Sequence, residues 1–217
     1  MSLDARAARH AALADRSRLA IVDELALGDR SPSELQAAVD LPSNLAAHHL
    51  RVLEAAGIVT RRRSEGDRRR TYLTLTDPSV ADMAPGVTDV PRVLFVCSAN
   101  SARSQLAAAV WAARSTVPVS SAGTRPAAGV AEGARDLAER RSLTLLPQGP
   151  QHVDDVARHG DYVIAVCDSA YEELGPRVTV HWSMPDPVPQ GDAAAFDWTY
   201  AELDRRIAAL APRLVAC

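Results

Sequence analysis

The spacing of apolar positions changes character part-way along this 217-residue chain. In the first part it follows the helical period. Leu3, Ala7, Ala8, Ala11 and Leu13 predict a helix over residues 3–14. SRLAIVDELAL predicts a second over 17–27, with Leu19, Ile21, Val22 and Leu25 on one side and Gly28 at its end. Ser31-Pro32-Ser33-Glu34 then reads as a helix start: a Ser cap, Pro at the first helical position, and Glu placed for a capping box. That helix ends near Asp40. Leu41-Pro42-Ser43 turns the chain, with Ser43 capping a fourth helix over 44–56 that Gly57 stops. Two short helices across a tight turn form a helix-turn-helix.

Beyond Gly57 the period falls to two. Ile58-Val59-Thr60, an Arg-rich run with Gly66-Asp67 at its tip, and the alternating Thr71-Tyr72-Leu73-Thr74-Leu75 predict a β-hairpin. Residues 77–90 hold Pro78, Pro85 and Gly86 and read as a linker. From residue 91 onward, strand-like runs at 93–97, 117–124, 161–168 and 178–182 alternate with helical stretches at 105–113, 130–141, 152–159 and 196–215. Such alternation predicts an α/β domain with a central parallel sheet and ligands at the carboxyl ends of its strands. The chain therefore divides into a mostly helical domain (1–76), a linker (77–90) and an α/β domain (91–217).

Composition adds less. With 47% apolar residues, each half can bury a core. No stretch is apolar for the length of a membrane span, and the N-terminus is polar, so a cytoplasmic protein is expected. Three cysteines far apart do not read as a disulfide framework, which points to chemistry for at least one. All 24 basic residues are Arg, a bias best explained by a GC-rich coding sequence. Six of them (Arg61, Arg62, Arg63, Arg68, Arg69 and Arg70) crowd the hairpin tip against only Glu65 and Asp67, a charge excess suited to a polyanion.

The densest chemistry lies in Val93-Leu94-Phe95-Val96-Cys97-Ser98-Ala99-Asn100-Ser101-Ala102-Arg103-Ser104. A buried strand delivers Cys97 to its carboxyl end, and a short loop feeds a helix. Backbone N–H groups of residues 98–102 and the helix dipole make a nest for a tetrahedral oxyanion. Arg103 adds a planar fork for two anion oxygens. This positive field favours a Cys97 thiolate, to which Ser104 can donate a hydrogen bond. Asn100 tolerates the left-handed turn that such a loop needs. The segment resembles the active-site loop of the low-molecular-weight tyrosine phosphatase superfamily, which includes one class of arsenate reductases. SAGT at 121–124 resembles the superfamily too.

Residues 3–76, with LPSNLAAHHLRVLEAAGIVTRRR at their centre, resemble the winged helix of ArsR-type repressors. On that reading Ser43, Asn44, Ala47 and His48 face the bases of a DNA major groove. The six wing arginines would meet phosphates. Adjacent His48 and His49 point to different faces, and no metal site is expected. Two departures stand out. No Cys precedes position 97, so the thiolate cluster by which many ArsR proteins sense arsenite has no counterpart. No long helix is predicted after the wing, so a homodimer would have to pair through the first helices or the second domain.

The superfamily resemblance makes Asp186, in HWSMPDP, the general acid that protonates the departing oxygen. Phosphate and arsenate share shape and charge. RSQLA after the loop and HW-x-x-PDP resemble the reductases, and no aromatic residue closely follows Pro187 to cradle a phosphotyrosine ring. The expectation is a DNA-binding regulator fused to a thiol-dependent arsenate reductase working through a Cys97 adduct. A phosphatase with a regulatory DNA-binding domain and a non-catalytic oxyanion-sensing repressor remain open. Thioredoxin-linked reductases carry two further cysteines; here Cys167 matches the first, a candidate resolving thiol, but Leu174 occupies the second position. The expected donor is therefore an external small thiol with a redoxin, mycothiol being the one that fits the coding bias. Cys167 itself reads better as a core residue, and Cys217 as a mobile tail.

Overall fold

The computed structural model describes residues 2–77, 88–146 and 149–217. These form two compact units. The first holds α1 (Leu3–Leu13), α2 (Arg16–Leu27), α3 (Pro32–Ala38), α4 (Ser43–Ala55) and an antiparallel hairpin of β1 (Val59–Arg63) and β2 (Thr71–Leu75). Ser2, Asp15 and Ser31 cap the first three helices, each accepting from the N–H three residues on, and Ser31 with Glu34 completes the capping box. The fourth helix differs from expectation. Ser43 is its first residue rather than its cap, because the Pro42 carbonyl already accepts from Leu45 and Ala46. Gly57, at φ 65°, supplies the left-handed stop after α4.

Ile21, Val22, Leu25, Leu35, Leu50, Leu53, Ile58 and Leu73 form the core of this unit. Leu19 is 38% exposed. It precedes Ile21 by two residues, about 200° of helix, and so lies on the far side. Arg30 pairs with Leu73 through backbone bonds of 2.8 and 3.3 Å, tying the hairpin to the helical body.

The second unit runs β3 (Thr88–Val90), β4 (Val93–Cys97), α5 (Arg103–Arg114), β5 (Val119–Gly123), α6 (Glu132–Arg140), α7 (Val153–Val156), β6 (Tyr162–Ala165), α8 (Asp168–Leu174), β7 (Val180–His181), α9 (Ala193–Leu210) and β8 (Leu214–Ala216). Four strands form a parallel sheet in the order β5-β4-β6-β7. The first strand of this sheet, β4, thus lies between its successors, and the order in which strands are added reverses there. Such a switch point opens a crevice at the strands' carboxyl ends. Central β4 is fully buried on both faces, which is why it reads as an unbroken apolar run. Phe95 packs against Trp111 and Trp182, with ring centroids 5.9 and 5.8 Å apart.

Five expectations change. Part of the predicted linker, residues 78–87, lies outside the described residues, but Thr88–Val90 is a strand of the second unit, parallel to β8. The final helix stops at Leu210 rather than 215, because Pro212 lacks an N–H and forces a 3₁₀ turn. The tail then pairs with β3, and Cys217 donates its backbone N–H to Val90 at 3.3 Å; its end is hydrogen-bonded rather than loose. The helix expected over 152–159 shrinks to α7, and α8, absent from the sequence reading, follows β6 directly. Among the described residues no helix is long and apolar enough to cross a membrane.

Candidate active site

The register of β4 against β5 sets Cys97 beside Gly123, and its register against β6 places Ala165 opposite Val96. Cys97 therefore stands at the mouth of the crevice. The loop after it is held from outside. Carbonyls of Cys97, Ser98, Ala99 and Ser101 accept from the N–H groups of Thr124, Arg125, Ala127 and Ala131, at 3.1, 2.8, 2.9 and 2.9 Å. In a planar trans peptide, C=O and the next N–H point opposite ways. Pinning these carbonyls outward turns the N–H groups of Ser98, Ala99, Asn100 and Ala102 inward. Asn100 N accordingly donates to Cys97 Sγ at 3.2 Å. Segment 124–131 is thus a strap that shapes the anion nest, and the sequence reading missed it. Gly123 permits its approach: a Cβ there would lie 2.6 Å from the Ser98 carbonyl oxygen.

Asn100 takes the expected left-handed conformation, φ 48°, fully buried. Its Nδ2 donates to Ser104 Oγ (2.8 Å) and Ser121 Oγ (3.0 Å). Its Oδ1 accepts from Gln151 N (2.9 Å) and Gln105 Nε2 (3.4 Å), and Gln105 also reaches Gly149 O (3.1 Å). Ser104 Oγ lies 3.0 Å from Cys97 Sγ. Since Ser104 accepts from Asn100, its own hydrogen is left for the sulfur.

Arg103 opens α5, its side chain only 7% exposed. Nη1 donates to Met184 O at 2.8 Å, and Nη2 lies 3.3 Å from Asp186 Oδ2. Burial alone would loosen its proton, but the neighbouring Cys167, Cys97 and Asp186 more than offset this and hold its proton more firmly than usual. Asp186 sits at the rim with a side chain 36% exposed, its Oδ1 accepting from Val188 N at 3.3 Å. The nucleophile, the guanidinium and the proposed acid predicted from sequence therefore converge within one unit.

Cys167 ends the β6 connection and caps α8. Its Sγ accepts from Ala170 N at 3.4 Å and lies 3.5 Å from Ser98 Oγ. Burial pushes this thiol up, against the pull of Arg103. Beside it Asp168 and His181 form a buried pair, Oδ1 to Nε2 3.0 Å, with the Tyr171 ring stacked on His181 at 4.1 Å. Neither was singled out in the sequence; 13 residues separate them and nothing periodic links them.

In the first unit, Ser43, Asn44, Ala47 and His48 are exposed along α4, while His49 turns into the core. Arg61, Arg63, Arg68, Arg69 and Arg70 are exposed on the hairpin and Arg62 half-buried; Arg61 pairs with Glu54. Among the described residues no group of three or more His, Cys, Asp or Glu is arranged to hold a metal ion.

A helix-turn-helix domain model matches residues 13–62, and the model of the low molecular weight phosphotyrosine protein phosphatases matches residues 92–216. No curated protein matches the chain. Among solved structures, an arsenate reductase from Archaeoglobus fulgidus is 27% identical, TM-score 0.50, covering 55% of this chain and 98% of its own. A YwlE mutant from Bacillus subtilis is 20% identical, TM-score 0.50, over 56% of this chain and 96% of its own, a likeness of fold alone. The homodimeric winged helix-turn-helix DNA-binding domain of a Mycobacterium bovis protein is 33% identical, TM-score 0.33, over 36% of this chain and 70% of its own. With residues 92–216 matched, over half its length, the chain belongs to the low molecular weight phosphotyrosine protein phosphatase family and carries a helix-turn-helix domain ahead of the phosphatase fold.

Proposed function

We propose that the second unit reduces arsenate with an external thiol and that the first reads an operator. The observation that carries the reading is the loop of inward-turned N–H groups around Cys97, with Asn100 N donating to its Sγ at 3.2 Å, flanked by Arg103 and by Asp186 at the rim. The Cys97 thiolate attacks arsenic: an As–S bond forms, an As–O bond breaks, and the oxygen leaves as water with a proton from Asp186. An external thiol then attacks the Cys97 sulfur. An S–S bond forms, the As–S electron pair stays on arsenic, and arsenite departs, two thiols having been oxidised to a disulfide that a redoxin reduces. Small residues around the loop, Ser98, Ala99, Ser101 and Ala102, and Pro-Val-Pro after Asp186 favour an inorganic oxyanion over an aryl ester.

The donor is external because Cys167 is enclosed, its thiol pushed up, and Leu174 stands where a relay would need another cysteine. A small thiol such as mycothiol fits that need. Exposed residues of α4 and the basic hairpin suit major-groove edges and phosphates respectively. The matched family supports a second reading, hydrolysis of a phosphocysteine adduct by water, since phosphate fits the same nest.

The deciding experiment is turnover of arsenate by the full chain with a panel of thiols and redoxins, beside an aryl phosphate without them. Arsenite formed only with a particular thiol is the expected result. Aryl phosphate cleavage without arsenite would transfer the protein to the hydrolase reading. Neither activity, with oxyanion still bound, would make the domain a sensor.

A further inference from the structure

The Asp186 loop needs something to hold it. Residues 182–187 leave a two-residue strand, β7, which offers little backbone pairing of its own. Two grips come from residues of the α/β domain itself. From one side Arg103 donates to Met184 O at 2.8 Å. From the other comes Asp168, in the first turn of α8, whose Oδ1 lies 3.0 Å from His181 Nε2 where β7 ends. Both partners are almost wholly buried. An ionised carboxylate only accepts, so His181 Nε2 carries the hydrogen. Burial works to raise Asp168, yet the bond from His181, helped by the Ser183 hydroxyl, holds its carboxyl below the usual carboxylate range. Tyr171, from the same short helix, stacks on the His181 ring with an interplanar angle of 5° and fixes its orientation.

We propose that Asp168 and His181 are positioning residues: the buried pair anchors the stem of loop 182–187 to α8, so that Asp186 is held at the rim of the nest beside Arg103. The role rests on the reading of Asp186 as the proton donor. Neither group touches the oxyanion. A loop freed at its stem still leaves Cys97, Arg103 and the N–H nest in place, so binding persists while proton delivery falters. Misplacing a reacting group by about 1 Å costs on the order of a hundredfold in rate.

The test is arsenate turnover and amide hydrogen exchange in the full chain, comparing D168N, D186N and the double variant. D168N is expected to lower kcat by about ten- to a hundredfold with KM within about twofold, and to leave D186N no slower when combined with it. Amides of 182–188 should exchange about tenfold faster or more, those of 93–104 at the original rate. H181Q, which keeps an N–H near the Nε2 position, should restore most of the rate. Unchanged exchange at 182–188, or a double variant slowed by the product of the two single effects, would overturn the proposal. If D186N alone leaves kcat intact, the acid assignment falls, and exchange at 182–188 decides the anchoring by itself. Should D168N fail to fold, S183A keeps the Asp168–His181 bond and is read by the same exchange, with about a fivefold effect expected for one lost hydrogen bond.

Discussion

Replacing Asn100 by alanine and by glycine separates its hydrogen bonds from its backbone conformation. Both substitutions remove three hydrogen bonds of 2.8–3.0 Å and one of 3.4 Å. At about 1 kcal/mol each for the well-formed bonds, the loss is about 3 kcal/mol. Alanine must also adopt φ 48°, which costs roughly 1–2 kcal/mol that glycine avoids. Glycine gives back part of this through its freer unfolded chain, leaving N100A about 1 kcal/mol less stable than N100G. All three tryptophans, Trp111, Trp182 and Trp198, lie in the second unit, so their fluorescence follows its unfolding alone. With a urea slope of about 2 kcal/mol/M, the midpoint should fall by about 1.75 M for N100G and about 2.25 M for N100A. An N100A protein as stable as N100G would refute the left-handed assignment. Both variants within about 0.5 kcal/mol of the parent would refute the four-bond hub.

C97S should abolish turnover while retaining oxyanion binding, measured by calorimetry with arsenate or phosphate; residual turnover would exclude Cys97 as nucleophile. C167S should keep the thiol-dependent rate within about threefold, since the buried thiol is spared in the mechanism and its loss changes only a small core contact; loss of turnover would make Cys167 the resolving thiol. R63A/R68A, on two exposed wing positions, should weaken binding to any duplex and reduce the log–log salt slope by about 2; an unchanged slope would remove the wing from the interface. Acid should destabilise the second unit. Asp168 and Glu202 are both held below their ordinary values although burial opposes it, by His181 and by Arg205 and Arg206 respectively. Their contribution is present above an unfolded pKa of about 4 and is lost as pH falls through the lower folded values. D168N should flatten that limb of the urea midpoint against pH, and an unaltered profile would contradict the depressed carboxyl.

What could be read in advance follows from where the information sits. Cys97, Asn100, Arg103 and Ser104 are local: one strand, one tight loop and one helix start determine their arrangement, so eight residues carry it. The Ser31–Glu34 capping box is equally local, and forms as its spacing predicts. The strap over 124–131 was invisible because it works through backbone N–H groups, which every residue but proline possesses; only Gly123 left a trace, as the position where a side chain would collide. The partners of Asn100 were half visible. Ser104 and Gln105 follow it in sequence, but Gln151 arrives from 51 residues away along an irregular segment. Asp168 and His181 meet because β6 and β7 are neighbours, a consequence of sheet order that strand patterns alone do not encode. The same reason explains the misread C-terminus: residues 214–216 look like the end of an amphipathic helix until Thr88–Val90 supplies an edge for them to pair with. Cys97 and the loop around it are thus written in contiguous sequence. The Asp168–His181 pair proposed to hold Asp186 beside them depends on contacts that exist only once the sheet has formed.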